Sequence, residues 1–148
     1  MAEHKIQLEW IKGDVAFTYD TYSRNHQITF KDGVAKTFSA AAVYRGDATK
    51  GDPEDLFVAA LSSCHMLFFL SFAAAGGFVI DRYEDEAIGE MGKNARGAIA
   101  MLKVHLRPAI TWIGAPPSAE QLDALHHRAH EACYISNSVT TEVVIEPR

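Results

Sequence analysis

Two cysteines are the residues of this chain whose chemistry is the most distinctive. Cys64 lies in the middle of an apolar segment, and Cys133 follows a histidine-rich one. A thiolate can be oxidised to a sulfenic acid, which a second thiol condenses into a disulfide. That chemistry needs a cation that keeps the first thiol ionised. Buried cysteines that act as small hydrophobic residues are the commoner case in proteins, so the two thiols alone leave both interpretations open.

Histidines form the second group of reactive side chains: His126, His127 and His130. His126 and His130 share one face of a helix, and a metal cluster with Cys64 and His65 can be drawn. No His-Glu-x-x-His motif occurs, so we expect no metal and place these histidines on a helix surface or at an interface. A histidine can also activate a cysteine for hydrolysis. His65 cannot serve Cys64 in this way, because adjacent helical side chains point about 100° apart.

Length and composition limit the classes of protein. The 148 residues predict one domain covering residues 1–148, with 48% hydrophobic and 22% charged residues as in folded soluble proteins. The formal net charge of −5 argues against nucleic-acid binding, which needs a basic surface. With two cysteines, a four-cysteine zinc site is excluded. The N-terminal residues show no secretory signal, so we expect a cytoplasmic protein with free or redox-active thiols.

The first fifty residues have the alternation that is typical of strands. Ile6, Leu8 and Trp10 alternate with polar residues, and residues 15–19 are predicted as the return strand of a hairpin. Residues 26–30 repeat the pattern before Asp32-Gly33, a strong tight-turn pair. We therefore predict an antiparallel sheet in this part of the chain.

A long apolar helix is predicted next. Asp52 is a good N-cap with Pro53 at the first helical position, and Gly76-Gly77 ends the helix. Residues 56–75 carry no Asp, Glu, Lys or Arg. An uncharged segment of this length could span a membrane as a helix. The serine, cysteine and histidine side chains within it and the acidic residues before it favour a buried helix instead. One domain of this size cannot surround such a helix, so we expect a homodimer with the helix at its centre and no membrane insertion.

The remainder of the chain predicts strands, a second helix and a last strand. Residues 98–112 have the pattern of one long strand. Ser118 and Gln121 form a capping box at the start of the second helix. Residues 139–145 are predicted as the closing strand. Strands grouped around two helices indicate an α+β fold with antiparallel sheets.

The helix that carries Cys64 resembles the nucleophile helix of the OsmC/Ohr family, the osmotically inducible protein C and organic hydroperoxide resistance proteins. Residues 53–56 and 59–66 match it, with Cys64 ten residues after Glu54. Cys133, at the end of a later helix, matches the second cysteine of that family. The resemblance implies a thiol-dependent peroxidase, an intertwined homodimer and no bound cofactor. It also implies that Cys64 is the peroxidatic and Cys133 the resolving cysteine.

The resemblance further implies that an arginine, held by the residue matching Glu54, keeps the nucleophilic thiol ionised. In the Ohr branch this arginine lies in an early hairpin, where Arg24 is placed comparably. In the OsmC branch it lies ten residues before the glutamate, where this chain has Tyr44 followed by Arg45. We favour Arg24, and Arg45 remains the alternative.

Partners follow from the same resemblance. The substrate is expected to be an organic hydroperoxide, and the disulfide is expected to be reduced by a dithiol, either a lipoylated protein or a thioredoxin-like protein. Two other functions stay open: a cysteine-dependent hydrolase that uses a distant histidine, and a non-enzymatic carrier of small apolar ligands beside the long helix.

Overall fold

Eight strands and two α-helices occur in the computed structural model, which describes residues 2–148. The chain divides into two compact units, the first ending at Leu56 and the second covering Phe57–Arg148. Strands grouped around helices confirm the predicted α+β class.

The first unit contains a three-stranded antiparallel sheet. Its strands, in sheet order, are β1 (Gln7–Glu9), β2 (His26–Thr29) and β3 (Ala35–Phe38). The predicted turn at Asp32-Gly33 is confirmed: Gly33 has a φ of 76°, and the Asp32 carboxylate accepts the Val34 N–H at 3.0 Å. Glycine suits this turn because the left-handed region strains other residues.

The predicted strand at residues 15–19 is wrong. This segment forms turns in which the Thr18 carbonyl accepts the N–H groups of Thr21 and Tyr22. Aromatic packing explains the difference, because Phe17 lies with its ring centroid 5.6 Å from that of Trp10 and 5.4 Å from that of Tyr22. The alternating pattern therefore reflects a local aromatic cluster and not a sheet face.

Helix α1 (Pro53–Ala75) begins and ends where its capping residues predict. The Asp52 carboxylate accepts the Asp55 N–H at 2.9 Å, and the Asp55 carboxylate accepts the Asp52 N–H at 3.3 Å. Gly77, with a φ of 79°, closes the other end. The two caps set the length of the helix and thereby place Cys64 near its middle.

Two sheets lie in the second unit. One pairs β4 (Val79–Asp85) with β7 (Pro108–Ile113), and the other has the order β5 (Ile88–Lys93), β6 (Ile99–Leu106), β8 (Glu142–Ile145). All pairs are antiparallel except β6 with β8, which is parallel. The last strand is thus shorter than predicted, and it returns to the sheet by way of α2.

The prediction of one strand across residues 98–112 is wrong, because β6 and β7 belong to different sheets. The chain changes sheets at Arg107, whose N–H donates to the Asp85 carboxylate at 2.6 Å instead of to a strand. Pro108, which is buried, has no N–H to continue a ladder. The apolar pattern runs through this corner because residues on both sides of it are buried.

Helix α2 (Ala119–Ala132) has the predicted capping box. The Ser118 hydroxyl accepts the Gln121 N–H at 3.2 Å, and the Gln121 side chain accepts the Ser118 N–H at 2.9 Å. Cys133 is the C-terminal cap residue of α2. This start and this end fix the position of the second thiol.

Packing of the second unit is centred on α1. One buried cluster joins α1 to α2 through Phe69, Ala73, Leu125 and Ala129, and a second joins Leu61 of α1 to β6. By length and composition α1 is the one helix among residues 2–148 that is apolar enough to cross a membrane, and 22% of its most apolar window is buried. Its buried residues form part of the core of this unit.

Candidate active site

The two thiols differ in burial. Cys64 lies on α1 and is half-buried, whereas Cys133 at the end of α2 is fully buried. Both are free cysteines. The Ser136 N–H donates to the Cys133 sulfur at 3.4 Å, which holds this side chain towards the helix end. The accessible thiol is therefore Cys64, and Cys133 is reached through it or through local opening of the fold.

The structure brings the two thiols together. The Cys64 thiol lies near enough to the Cys133 thiol and to the backbone N–H groups of Tyr134 and Ile135 for each of them to affect its pKa. Burial raises the pKa of Cys64, and the contact with Cys133 raises it further, while the two N–H groups act in the opposite direction. The surroundings of Cys64 within this unit therefore favour its neutral thiol form, and a nearby cation would favour the thiolate.

Hydrogen bonds to one carboxylate fix the α1 turn that carries Cys64. The Ser62 hydroxyl donates to Asp85 Oδ2 at 2.5 Å, and the Arg107 N–H donates to Asp85 Oδ1 at 2.6 Å. Asp85 therefore ties α1 to the end of β4 and to the corner between β6 and β7. The nucleophile candidate lies on a rigid element and not on a loop.

A histidine pair lies on the buried side of α1. His65 and His126 are both in the core, with His65 Nε2 3.1 Å from His126 Nδ1. The expectation that His126 lies on a helix surface is wrong, because it faces α1, whereas His127 is exposed. Among residues 2–148, no three His, Cys, Asp or Glu side chains come close enough together to hold a metal ion. No signal in the sequence marked His65 as a partner of His126.

Glu54 lies in the first turn of α1 and is half-buried. Ten residues of helix separate it from Cys64, which is a rise of about 15 Å, so the two side chains of one copy cannot meet. None of the ion pairs among residues 2–148 includes Glu54. Glu54 therefore has no ion-pair partner among the described residues of its own unit.

Both candidate arginines lie against the same tyrosine in the first unit. The Arg24 guanidinium carbon is 5.0 Å from the Tyr19 ring centroid, and that of Arg45 is 5.3 Å from it. Arg24 also lies 3.7 Å above the Tyr22 ring and donates to the backbone carbonyls of Tyr19 and Tyr22 at 2.7 and 2.6 Å. Arg45 is held by an ion pair with Asp20 at 2.6 Å. The supporting side chains around these arginines were not foreseen from the sequence.

The two arginines consequently differ in what they can still bind. Arg45 has a carboxylate partner, whereas the ion pairs among the described residues do not include Arg24. The partners of Arg24 are carbonyl oxygens and aromatic rings, which hold a guanidinium in place but do not neutralise it. Arg24 therefore keeps its charge available for an anion.

Comparison with known proteins was made for sequence and structure. A family model described as OsmC-like protein matches residues 46–148. No curated protein sequence gives a significant match. An OsmC-like protein of unknown function from Vibrio cholerae is 44% identical, with each chain covered completely and a TM-score of 0.94.

Two further solved structures share the fold at lower identity. The organic hydroperoxide resistance protein OhrB of Bacillus subtilis is 23% identical, with 99% of this chain and 98% of that chain covered and a TM-score of 0.69. An organic hydroperoxide resistance protein OsmC from Legionella pneumophila is 18% identical, with 99% and 97% covered and a TM-score of 0.69. At these identities the likeness establishes the fold.

Proposed function

Because this chain belongs to the OsmC-like family, we propose that it is a thiol-dependent peroxidase that reduces organic hydroperoxides to alcohols. The observation that carries the proposal is the proximity of the Cys64 and Cys133 thiols, near enough for one to affect the pKa of the other. A nucleophilic thiol with a second thiol in reach is the arrangement that a two-cysteine peroxidase needs. The names of the Bacillus and Legionella structures are consistent with it.

The reaction uses both thiols and no bound group. The Cys64 thiolate attacks the terminal oxygen of the hydroperoxide, the O–O bond breaks, and the alkoxide leaves and takes up a proton to become the alcohol. Cys64 is then a sulfenic acid, which the Cys133 thiol attacks to form the disulfide with release of water. Two thiols are oxidised for each peroxide reduced. A dithiol reductant, either a lipoylated protein or a thioredoxin-like protein, then restores both thiols.

Arg24 is the proposed cation that ionises Cys64. Burial raises the pKa of this thiol, so the reaction at neutral pH needs a positive charge beside it. Arg24 is favoured over Arg45 because Arg45 is already paired with Asp20. Glu54, which has no cationic partner among the described residues, is proposed to hold Arg24 in position through a bidentate contact.

We further propose that the working unit is a homodimer with sites shared between the copies. Since Glu54 and Cys64 of one helix are about 15 Å apart, they cannot serve the same site. Antiparallel packing of two α1 helices would bring Glu54 of one copy beside Cys64 of the other. The exposure of Leu67 on α1, at 63%, supports a partner surface there.

Peroxide turnover tests the proposal. The protein with dithiothreitol, a lipoylated protein or thioredoxin as reductant is expected to consume cumene hydroperoxide, and the Cys64→Ser variant is not. The proposed place of action is the cytosol, where such reductants keep thiols reduced. Ester cleavage without peroxide would indicate the hydrolase instead. Equal binding of apolar ligands by wild type and Cys64→Ser, without any turnover, would indicate the carrier.

A further inference from the structure

The two sulfur atoms of the candidate site differ in their access to an attacking thiol. Cys133 has no exposed surface, whereas Cys64 is half-buried. In thiol–disulfide exchange, a thiolate attacks one sulfur of the disulfide, and the rate depends on access to that sulfur and on how well the other sulfur leaves. A disulfide between these two cysteines would therefore be open to attack at Cys64 and shielded at Cys133.

The Cys133 sulfur is also the better placed of the two to carry negative charge. The Ser136 N–H donates to Cys133 Sγ at 3.4 Å. A hydrogen bond donated to a thiolate favours the charged form. At Cys64, burial is the largest influence on the thiol, and it raises the pKa. When the disulfide breaks, the electron pair is therefore held better by Cys133 than by Cys64.

A short loop after α2 keeps the Ser136 N–H at the Cys133 sulfur. The Asn137 side chain donates to the Glu131 carbonyl at 2.9 Å, and the Asn137 N–H donates to the Cys133 carbonyl at 3.0 Å. These two bonds tie the loop back to the end of α2. Opening of the loop would take the N–H group away from the sulfur and would expose Cys133.

We propose that the dithiol reductant attacks the Cys64 sulfur of the Cys64–Cys133 disulfide, and that Cys133 leaves as a thiolate stabilised by the Ser136 N–H. The inference rests on the proposed peroxidase function and gives the order of events in its reductive half. Ser136 is a catalytic residue in this step through its backbone N–H, because that group touches a reacting atom. Asn137 is a positioning residue that acts through the loop.

The exchange has two steps. A thiolate of the reductant bonds to Cys64 Sγ, the bond between Cys64 and Cys133 breaks, and Cys133 takes the electron pair and then a proton. The second thiol of the reductant gives up its proton and attacks the reductant sulfur of the mixed disulfide, so that Cys64 leaves as a thiolate. The reductant loses two electrons and becomes a disulfide, and both protein thiols are restored. The peroxide and the reductant thus reach the same sulfur.

Glutathione, a monothiol, tests the direction of attack. The full-length protein is oxidised with diamide, which forms the disulfide without peroxide, and is then mixed with glutathione. N-ethylmaleimide in urea stops the exchange at early times by labelling the freed thiol, and peptide mass mapping locates the glutathione adduct. We expect at least about tenfold more adduct on Cys64 than on Cys133. When the exchange itself is run in urea, which removes the shielding, the two adducts should differ by less than about twofold.

Asn137→Ala tests the positioning role. Loss of the side-chain bond to Glu131 should lower the ratio of Cys64 adduct to Cys133 adduct about fivefold, the effect expected for one neutral hydrogen bond. Thr140, which is exposed and three positions further on, supplies the matched control, and Thr140→Ala should keep the wild-type ratio. A merely structural role of Asn137 would lower the melting temperature without moving this ratio, and that result would remove Asn137 from the mechanism.

The outcomes separate this inference from the proposed function, because diamide forms the disulfide whether or not the protein reduces peroxides. Adduct mainly on Cys133, or shared equally in the native protein, would overturn the inference. Adduct on Cys64 without any peroxide turnover would refute the proposed function and leave the order of exchange standing. Peroxide turnover together with adduct on Cys133 would do the reverse. Failure of diamide to join the two cysteines would contradict both proposals.

Discussion

His65 Nε2 lies 3.1 Å from His126 Nδ1, so one hydrogen bond joins α1 to α2 in the core directly after Cys64. The rings are nearly parallel, with 7° between their planes. His65 Nδ1 and His126 Nε2 are also buried, and the described residues offer neither of them a hydrogen-bond partner. A second proton on either ring would be a buried charge without a counterion, so both imidazoles are neutral in the folded protein at neutral pH.

Acid should therefore destabilise the protein over a defined range of pH. Burial, together with His126 and His130, lowers the pKa of His65 to about 4, and burial lowers that of His126 to about 4 against a smaller opposite effect of Asp123. Both would titrate near 6.5 when unfolded. Below pH 6.5 the unfolded chain binds more protons than the folded protein does. The free energy of unfolding therefore has its full value above pH 6.5 and decreases as the pH drops towards 4.

The expected loss is about 3 kcal/mol for one imidazole across the whole interval, and urea unfolding at about pH 7.5, 5.5 and 4.5 measures it. The exposed His127 on the same helix is the matched control, and His127→Gln should leave the profile unchanged. The double variant His65→Phe/His126→Leu should show a flatter profile. A wild-type profile as flat as that of the double variant would contradict the prediction.

Replacement of the second thiol should separate the two oxidation steps. With one equivalent of organic hydroperoxide, the wild type should lose two hydrogens by intact mass as the Cys64–Cys133 disulfide forms. Cys133→Ser should stop at a Cys64 sulfenic acid, which dimedone traps, and Cys64→Ser should give neither product. If the wild type accumulated a sulfenic acid as persistent as that of Cys133→Ser, the resolving role of Cys133 would be wrong.

The two arginines should differ in their effect on the Cys64 thiol. Arg24→Met removes the proposed cation, so the pH midpoint of Cys64 alkylation by iodoacetamide should rise and the rate near pH 7 should fall about tenfold or more. Arg45→Met is the matched control, because its charge is paired with Asp20, and it should change the rate by less than about threefold. The opposite order of effects would assign the role to Arg45.

Mixed dimers test the shared site. Chains carrying Glu54→Ala and chains carrying Cys64→Ser should each be inactive or nearly so as homodimers. In a mixed dimer, one wild-type Glu54 faces one wild-type Cys64 across the interface, so the mixed dimer should recover about half of the wild-type activity. Failure to recover activity after confirmed subunit exchange would place both residues in one chain's site or remove Glu54 from the mechanism.

Local signals in the sequence predicted the helices well. The Asp52 cap, the Gly77 end and the capping box of Ser118 with Gln121 involve residues at most a few positions apart, so their hydrogen bonds can be foreseen from spacing. Strand boundaries depend on distant partners. The corner at Arg107 exists because Asp85, from another strand, accepts its N–H, and nothing near Arg107 in the sequence indicates this.

In the candidate site, too, residue types and local motifs could be predicted, whereas contacts between distant residues could not. Cys64 and Cys133 could be selected from residue type and motif, and the two thiols lie near each other in the structure. Burial of His65 against His126 could not be foreseen, since the two residues are 61 positions apart and no pattern links them. The packing of Arg24 on Tyr22 is not predicted for a different reason: the pattern of residues 15–19 predicts a strand, whereas Phe17 packs on Tyr22 in an aromatic cluster.

The unequal burial of the two cysteines gives the protein an internal probe of local unfolding. An alkylating reagent can reach half-buried Cys64 in the native state. Cys133 has no exposed surface, so it reacts only when the end of α2 opens. The rate at which the second label attaches thus measures the free energy of that opening, in the way that amide hydrogen exchange does. Since the chain has only two cysteines, this measurement needs no engineered labelling site.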